Sequence, residues 1–190
     1  MGGRRGGGGE QIPARGGGVL EQPGRRRRPI AGGESEPATR GAVASCMSLP
    51  AELDKVVRRF AGAPKELRVK ALLQYGGRVP PLPERFTEDR SGLEQVHECQ
   101  TPFFLATEVD DDDLVHLFFD APPESPTVRG FAGILYSGLE GQPAAEVLAV
   151  PPDFYGPMGL EEVVSPLRMR GMGAILARLQ RQVREATGAA

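Results

Sequence analysis

The sequence predicts an α+β domain in which a small antiparallel β-sheet packs against several α-helices. Two observations carry this. The stretches with strand character, "TPFFLATEV" and "LVHLFFDAPP", follow one another with only "DDDD" between them, the pattern of an antiparallel hairpin. Helical patterns lie on both sides, so the order α-α-β-β-α-α clusters the strands instead of alternating them with helices.

The first helix is predicted from "SLPAELDKVVRRF". Ser48 can cap the free amides, Pro50 suits the first turn, and Glu52 and Asp54 favour the positive end of the helix dipole. Leu53, Val56, Val57 and Phe60 then fall on one face. A second helix, "APKELRVKALLQY", places Leu67, Ala71, Leu72 and Tyr75 together and stops at Gly76 and Gly77, so the two are expected to form a helical hairpin. The prolines of "RVPPLPERFTEDRSG" predict a loop. After the strands, "SPTVRGFAGILYSGLEG" reads as a helix with Ser125 as cap and Pro126 at the first position. A short "PAAEVLAV" helix and a turn-rich "PPDFYGPMGLEEVV" follow. The last helix starts in "SPLRMRGMGAILARLQRQV", with Met172, Ile175, Leu176, Leu179 and Val183 as its apolar stripe. Asp110 to Asp113 lack the glycine and the later glutamate of a calcium loop and are read as a solvated turn.

These elements occupy residues 47–186, one domain of ordinary size. Residues 1–46 are Gly, Arg and Pro with almost nothing to bury, and are expected to be a disordered Gly/Arg-rich extension. Eight arginines against four glutamates make that segment +4, and since the whole chain is -2, the remainder carries -6. An acidic domain lacks the basic stripe that a phosphate backbone requires, which argues against nucleic acid as partner. No run approaches the roughly 18 apolar residues of a membrane span, and no secretory signal is seen. The chain has two cysteines, too far apart in sequence for a disulfide framework, and a reducing, cytoplasmic location is the expectation.

"VHECQTPFF" places Cys99 among polar residues directly ahead of an apolar strand, an odd setting for a thiol that only fills core volume. Four readings compete. A buried structural thiol needs no partners. A metal ligand needs companions, and only His97, His116 and the remote Cys46 are available, without metal-binding spacing. A hydrolase nucleophile needs a base and an orienting group. A sulfur carrier needs only to attack a partner's persulfide and pass the outer sulfur on.

The stretch "VHECQ", the hairpin after it, then "SPTVRGFAGILYSGL", "PAAEVLAVPPDFYGPMGL" and "SPLRMRGMGAIL" resemble the SufE family of sulfur acceptors, especially its actinobacterial branch, over about residues 48 to 184. The family pattern V-x-G-C-Q-S is met here by Val96, Glu98, Cys99, Gln100 and Thr101, with Glu in place of Gly and Thr in place of Ser. The Glu98 carboxylate beside the thiol should raise its pKa. The S-P-x-R signature is intact as Ser165 to Arg168, and the acidic segment after the hairpin is reduced to Asp120 and Glu124. The resemblance implies a SufE/IscU-like fold, and the single cysteine of the domain separates it from cluster scaffolds, which need several.

It further implies that a SufS-type cysteine desulfurase, itself using pyridoxal phosphate, makes a persulfide, that Cys99 takes its terminal sulfur, and that the sulfur goes to a SufBCD-type scaffold for iron-sulfur cluster assembly. Gln100, Glu124, Arg168 and His97 would support Cys99. Arg168 would cap or cross near the acceptor loop, where a cation favours thiolate, unless it is an ordinary surface arginine. His97 would be a rim residue rather than a base. No bound cofactor or metal is expected, and either a monomer or a homodimer fits. A binding module that stimulates a desulfurase without carrying sulfur, and a thiol hydrolase, are the alternatives.

Overall fold

A computed structural model describes residues 49–99 and 101–189. The extension expected over 1–46, the capping role expected of Ser48, and Gln100 lie outside the described residues. Helix α1 (Ala51–Ala61) buries Leu53, Val56, Val57 and Phe60, the face its spacing predicts, with Glu52 and Asp54 in the first turn. Helix α2 (Lys65–Gly76) buries Leu72, Tyr75 and Gly76, but Leu67 is 52% exposed and so leaves the face assigned to it. The stripe instead runs through Arg68, four residues before Leu72. The Arg68 guanidinium donates to the carbonyls of Ala63 and Gly159 and pairs with Glu162, and Leu67, one step round the helix, turns outward.

The buried face of α2 meets helix α4 (Pro126–Leu139), which is buried along nearly all of its length from Gly130 onward. Glycine inside a helix is unfavourable by about 0.5–1 kcal/mol relative to alanine. Here close approach requires it: a Cβ at Gly133 would lie 1.9 Å from the Tyr75 carbonyl oxygen, and one at Gly130 2.6 Å from that of Leu72. Ser125 precedes α4, yet its side chain makes no capping bond. Its φ of -110° and ψ of 64° depart from the extended backbone that turns a capping hydroxyl back onto the first-turn amides.

The hairpin forms as expected, with β2 (Phe104–Val109) antiparallel to β3 (Val115–Asp120) in register from Phe104 opposite Asp120 to Val109 opposite Val115. Val115, Leu117 and Phe119 alternate into the main core beside Phe103 and Leu105. Two elements were not predicted. Strand β1 (Glu94–Gln95) pairs antiparallel with β2 and completes a three-stranded sheet of order β1-β2-β3. The segment expected to be loop contains helix α3 (Glu84–Glu88) behind Pro83, because proline suits the start of a helix as well as it blocks the interior. Phe86 of α3 stacks on Phe118 at 5.0 Å on the outer face of the sheet, with the Arg85 guanidinium over both rings.

Helix α5 (Ala144–Leu148) is short, and tight turns at Gly156–Met158 and Leu160–Glu162 lead into α6 (Pro166–Thr187). Helix α6 buries the predicted stripe together with Met169, Gly171 and Gln180. The Gln180 amide donates to the carbonyls of Val147 and Val150 at the end of α5. The observed architecture is thus α+β, a small antiparallel sheet among helices. Among the described residues no helix is long and apolar enough to cross a membrane.

The acidic turn is closed from within. The Asp110 carboxylate accepts from the amides of Asp112 and Leu114 and meets His116 at 3.0 Å, while the other His116 nitrogen meets Glu140 at 3.0 Å. The hydrogen bonds to Asp110 and Glu140 raise the His116 pKa, and the bond to His116 helps hold Asp110 low. A raised histidine pKa adds stability that is fully present below about pH 6.5 and is lost as pH rises through the folded value; the depressed carboxylate adds stability that is lost as pH falls below about 4. The thermal midpoint of wild type minus that of His116→Gln should therefore be largest between about pH 4 and 6.5 and shrink toward pH 9. A difference that grows with pH would contradict this arrangement.

Candidate functional site

The site is built on the connection from β1 to β2. Val96 is buried and its amide donates to the Phe103 carbonyl at 2.8 Å, which closes a loop spanning residues 97 to 102. Within it the Cys99 amide bonds back to the Val96 carbonyl at 3.2 Å. The apolar residues on either side, Val96 and Phe103, anchor the ends in the core. His97 and Glu98 are exposed, and Cys99 is half-buried. The sequence order of polar and apolar residues thus dictates the loop.

Cys99 lines a cavity of about 230 Å³. Glu124, Ser125, Thr127 and Val128 from the start of α4, Phe131 further along it, Leu167, Arg168 and Gly171 from α6, and Thr101 form the rest of its wall with Glu98 and Pro126. Of the residues expected at the site, Cys99, Glu124 and Arg168 come together here. His97 lies in the same loop but outside the cavity wall, and Gln100 is not described. A Cβ at Gly171 would meet the Cys99 sulfur at 3.4 Å, so the thiol rests against bare helix backbone.

The electrostatics depart from expectation in the cation that matters. Burial pushes the Cys99 thiol up to about 11, the Glu98 charge adds to the rise, and Arg178 opposes it. The effect of Glu98 has the sign its position suggests. Arg178, which no sequence pattern singled out, is on α6 and binds the Glu98 carboxylate at 3.1 and 3.2 Å while donating to the Gln95 carbonyl. It also pairs with Glu94, which receives Arg181 and Gln182 as well. This network ties β1 and the Cys99 loop to the last helix. Its partners lie about eighty residues apart, and no local pattern marks them.

Such a thiol is a protonated, weak nucleophile at neutral pH, since only the thiolate attacks. Among the described residues no histidine lines its cavity: both nitrogens of His116 are held by Asp110 and Glu140, and His97 lies outside the cavity wall. Among the described residues no group of three or more His, Cys, Asp and Glu is arranged to hold a metal ion. What the arrangement presents is a half-buried, protonated thiol that lines a cavity, on a loop whose ends are fixed in the core.

Comparison with known proteins identifies the family. The family model of SufE, the Fe-S metabolism associated domain, matches residues 54–183. A SufE-like protein of Mycobacterium tuberculosis H37Rv is 50% identical over 139 residues, 73% of this chain and 96% of the relative. The sulfur acceptor protein CsdE of Escherichia coli is 28% identical over 111 residues, 58% of this chain and 72% of that one. The solution structure of a hypothetical protein from Thermus thermophilus superimposes with a TM-score of 0.67 at 48% identity, covering 75% of this chain and all of the other.

Proposed function

The chain belongs to the SufE family, and from that membership and the geometry around Cys99 we propose that it is a sulfur acceptor for a cysteine desulfurase. The observation that carries the reading is the half-buried Cys99 on a loop pinned at both ends, opening onto a cavity beside bare backbone at Gly171. The finer assignment is a SufS-type partner, which uses pyridoxal phosphate to make its persulfide, and delivery to a SufBCD-type scaffold that assembles iron-sulfur clusters in the cytoplasm.

In the transfer the Cys99 sulfur attacks the terminal sulfur of the partner's persulfide. The new S–S bond forms as the old one breaks, the partner's thiolate leaves with the bonding pair, and the Cys99 proton ends on that leaving sulfur or on solvent. No net oxidation occurs. The raised thiol pKa fits this division of labour, because an inert resting thiol avoids side reactions until the partner's site supplies the activation. Glu124 and Arg168 line the cavity beside the loop, where a docking protein would meet it, and His97 would belong to the rim of that contact.

Incubation with a SufS-type desulfurase and cysteine, followed by intact mass measurement without reductant, should add one sulfur atom to wild type and to Cys46→Ser, and none to Cys99→Ser. Turnover of the desulfurase with reductant present should follow the same order. Stimulation by Cys99→Ser equal to wild type, with no sulfur added to either, would replace the carrier with a regulatory binding module.

A further inference from the structure

Glu98 stands directly before Cys99, and its side chain is 52% exposed. Among the described residues its carboxylate has one partner, Arg178, whose guanidinium meets both oxygens at 3.1 and 3.2 Å. The two halves of this pair are not held alike. The Arg178 side chain is 19% exposed, donates to the Gln95 carbonyl and pairs with Glu94 at 3.3 Å, so it stays tied to β1 whether or not Glu98 is there. Glu98 makes no other side-chain hydrogen bond or ion pair among the described residues.

The cation is also divided. Glu94 and Glu98 share Arg178, and Glu94 has a second cation in Arg181. The charged residues on the wall of the Cys99 cavity are Glu98, Glu124 and Arg168, two carboxylates to one guanidinium. When another protein brings a sulfur atom to the Cys99 sulfur, the neighbouring Glu98 carboxylate is taken out of water with it. A carboxylate desolvated without a cation of its own is costly, and Arg178 is already shared. A partner that presents Lys or Arg at this point offsets that cost, whereas a carboxylate or an apolar wall does not.

We propose that Glu98 is a specificity residue toward the sulfur donor: it binds a lysine or arginine at the entrance of the donor's active site, in competition with Arg178. The inference rests on the sulfur-acceptor reading and deepens it by stating the chemistry of the partner surface. Arg178 is a positioning residue, which holds the Glu98 carboxylate in the free protein and yields it to the donor. One side chain then has two opposed effects. Toward a small reagent the Glu98 charge hinders Cys99, because a neighbouring anion disfavours the thiolate. Toward a donor with a cation in place it is an attraction, and such charge complementarity selects partners and speeds their encounter.

The test uses the full chain carrying Cys46→Ser and two sulfur donors: a SufS-type desulfurase with cysteine, and inorganic polysulfide, which gives up one sulfur atom to the Cys99 thiolate and leaves as the next shorter polysulfide. Glu98→Gln should raise the KM of the desulfurase for this protein about fivefold, the upper range for an exposed ion pair, while loading by polysulfide becomes faster. Arg178→Gln breaks the same pair from the other side and should lower that KM while slowing loading by polysulfide. Glu98→Asp keeps the charge and should stay near wild type. The KM gap between wild type and Glu98→Gln should close toward 1 M salt, where the screening length is about 3 Å. If the pair only braces the loop, Glu98→Gln and Arg178→Gln lose the same brace and their KM values move in the same direction, and that result would overturn the proposal. A KM unchanged in Glu98→Gln would also overturn it and leave the acceptor reading intact. Failure of the desulfurase to load the protein with Glu98 and Arg178 both present would remove the acceptor reading, and this contact with it.

Discussion

Gly133→Ala is expected to lower the thermal midpoint of this domain by about 10 °C or more, or to leave it unfolded. The added methyl would sit 1.9 Å from the Tyr75 carbonyl oxygen and 2.4 Å from its carbon, and both obstacles are backbone. No rotamer change relieves such a contact, so α2 and α4 must separate across their whole interface. That movement would unpack Leu72 and Tyr75, which are buried against α4. Overpacking in a core costs typically 1–3 kcal/mol and occasionally more, and a clash fixed on both sides by helix backbone belongs at or above the top of that range. For domains of this size each kcal/mol shifts the midpoint by roughly 2–8 °C. Gly171→Ala provides the comparison. There the added Cβ meets only the Cys99 sulfur at 3.4 Å, an ordinary contact, and the helix gains about 0.5–1 kcal/mol from losing a glycine. Thermal melts of the two variants should move in opposite directions. A Gly133→Ala protein that melts like wild type would show that the close approach of α2 to α4 is not the native packing.

Alkylation of Cys99 by iodoacetamide in the resting protein should be on the order of a hundredfold slower near pH 7.5 than that of an unperturbed thiol. Burial, with Glu98 second, moves the thiol from its ordinary 9.0 to about 11, and each unit divides the reactive thiolate by about ten at neutral pH. In a Cys46→Ser background Cys99 is the only thiol, and the rate should keep rising with pH well past 9 before it levels. Glu98→Gln should move the midpoint down, and Arg178→Gln should move it up. The folded state favours the neutral thiol, so the stability this contributes is present below the unfolded value, about 8.5–9, and is lost as pH rises through the folded one. A midpoint at or below 9 would mean that the loop leaves the cysteine solvated.

Much of the fold was legible in the chain because it is written at short range. The stripe Leu53–Val56–Val57–Phe60, the alternation of Val115, Leu117 and Phe119 with outward residues, and the prolines at the starts of α4 and α6 each depend on neighbours within one or two turns. Leu67 misled for the same reason, because which face of α2 is buried depends on where Gly130 and Gly133 bring α4, and no spacing within α2 records that. Strand β1 escaped because Glu94 and Gln95 have no strand composition; they are extended because β2 lies beside them.

At the site, the sequence by itself determined that a thiol would stand on a polar loop ahead of a buried strand, that it would carry a carboxylate beside it, and that a Ser-Pro-x-Arg turn would open a helix. Only the tertiary structure decided what that thiol faces. The cavity joins residues near 98–101, 124–131 and 167–171, and the cation opposing Glu98 is Arg178, eighty residues away. Periodicity reports which side of an element is apolar, but it does not report which elements meet. Bare backbone at Gly130 and Gly133 lets α4 close onto Leu72 and Tyr75 of α2, and no spacing within either helix records which partner it will meet, because that is set by contacts between segments some sixty residues apart.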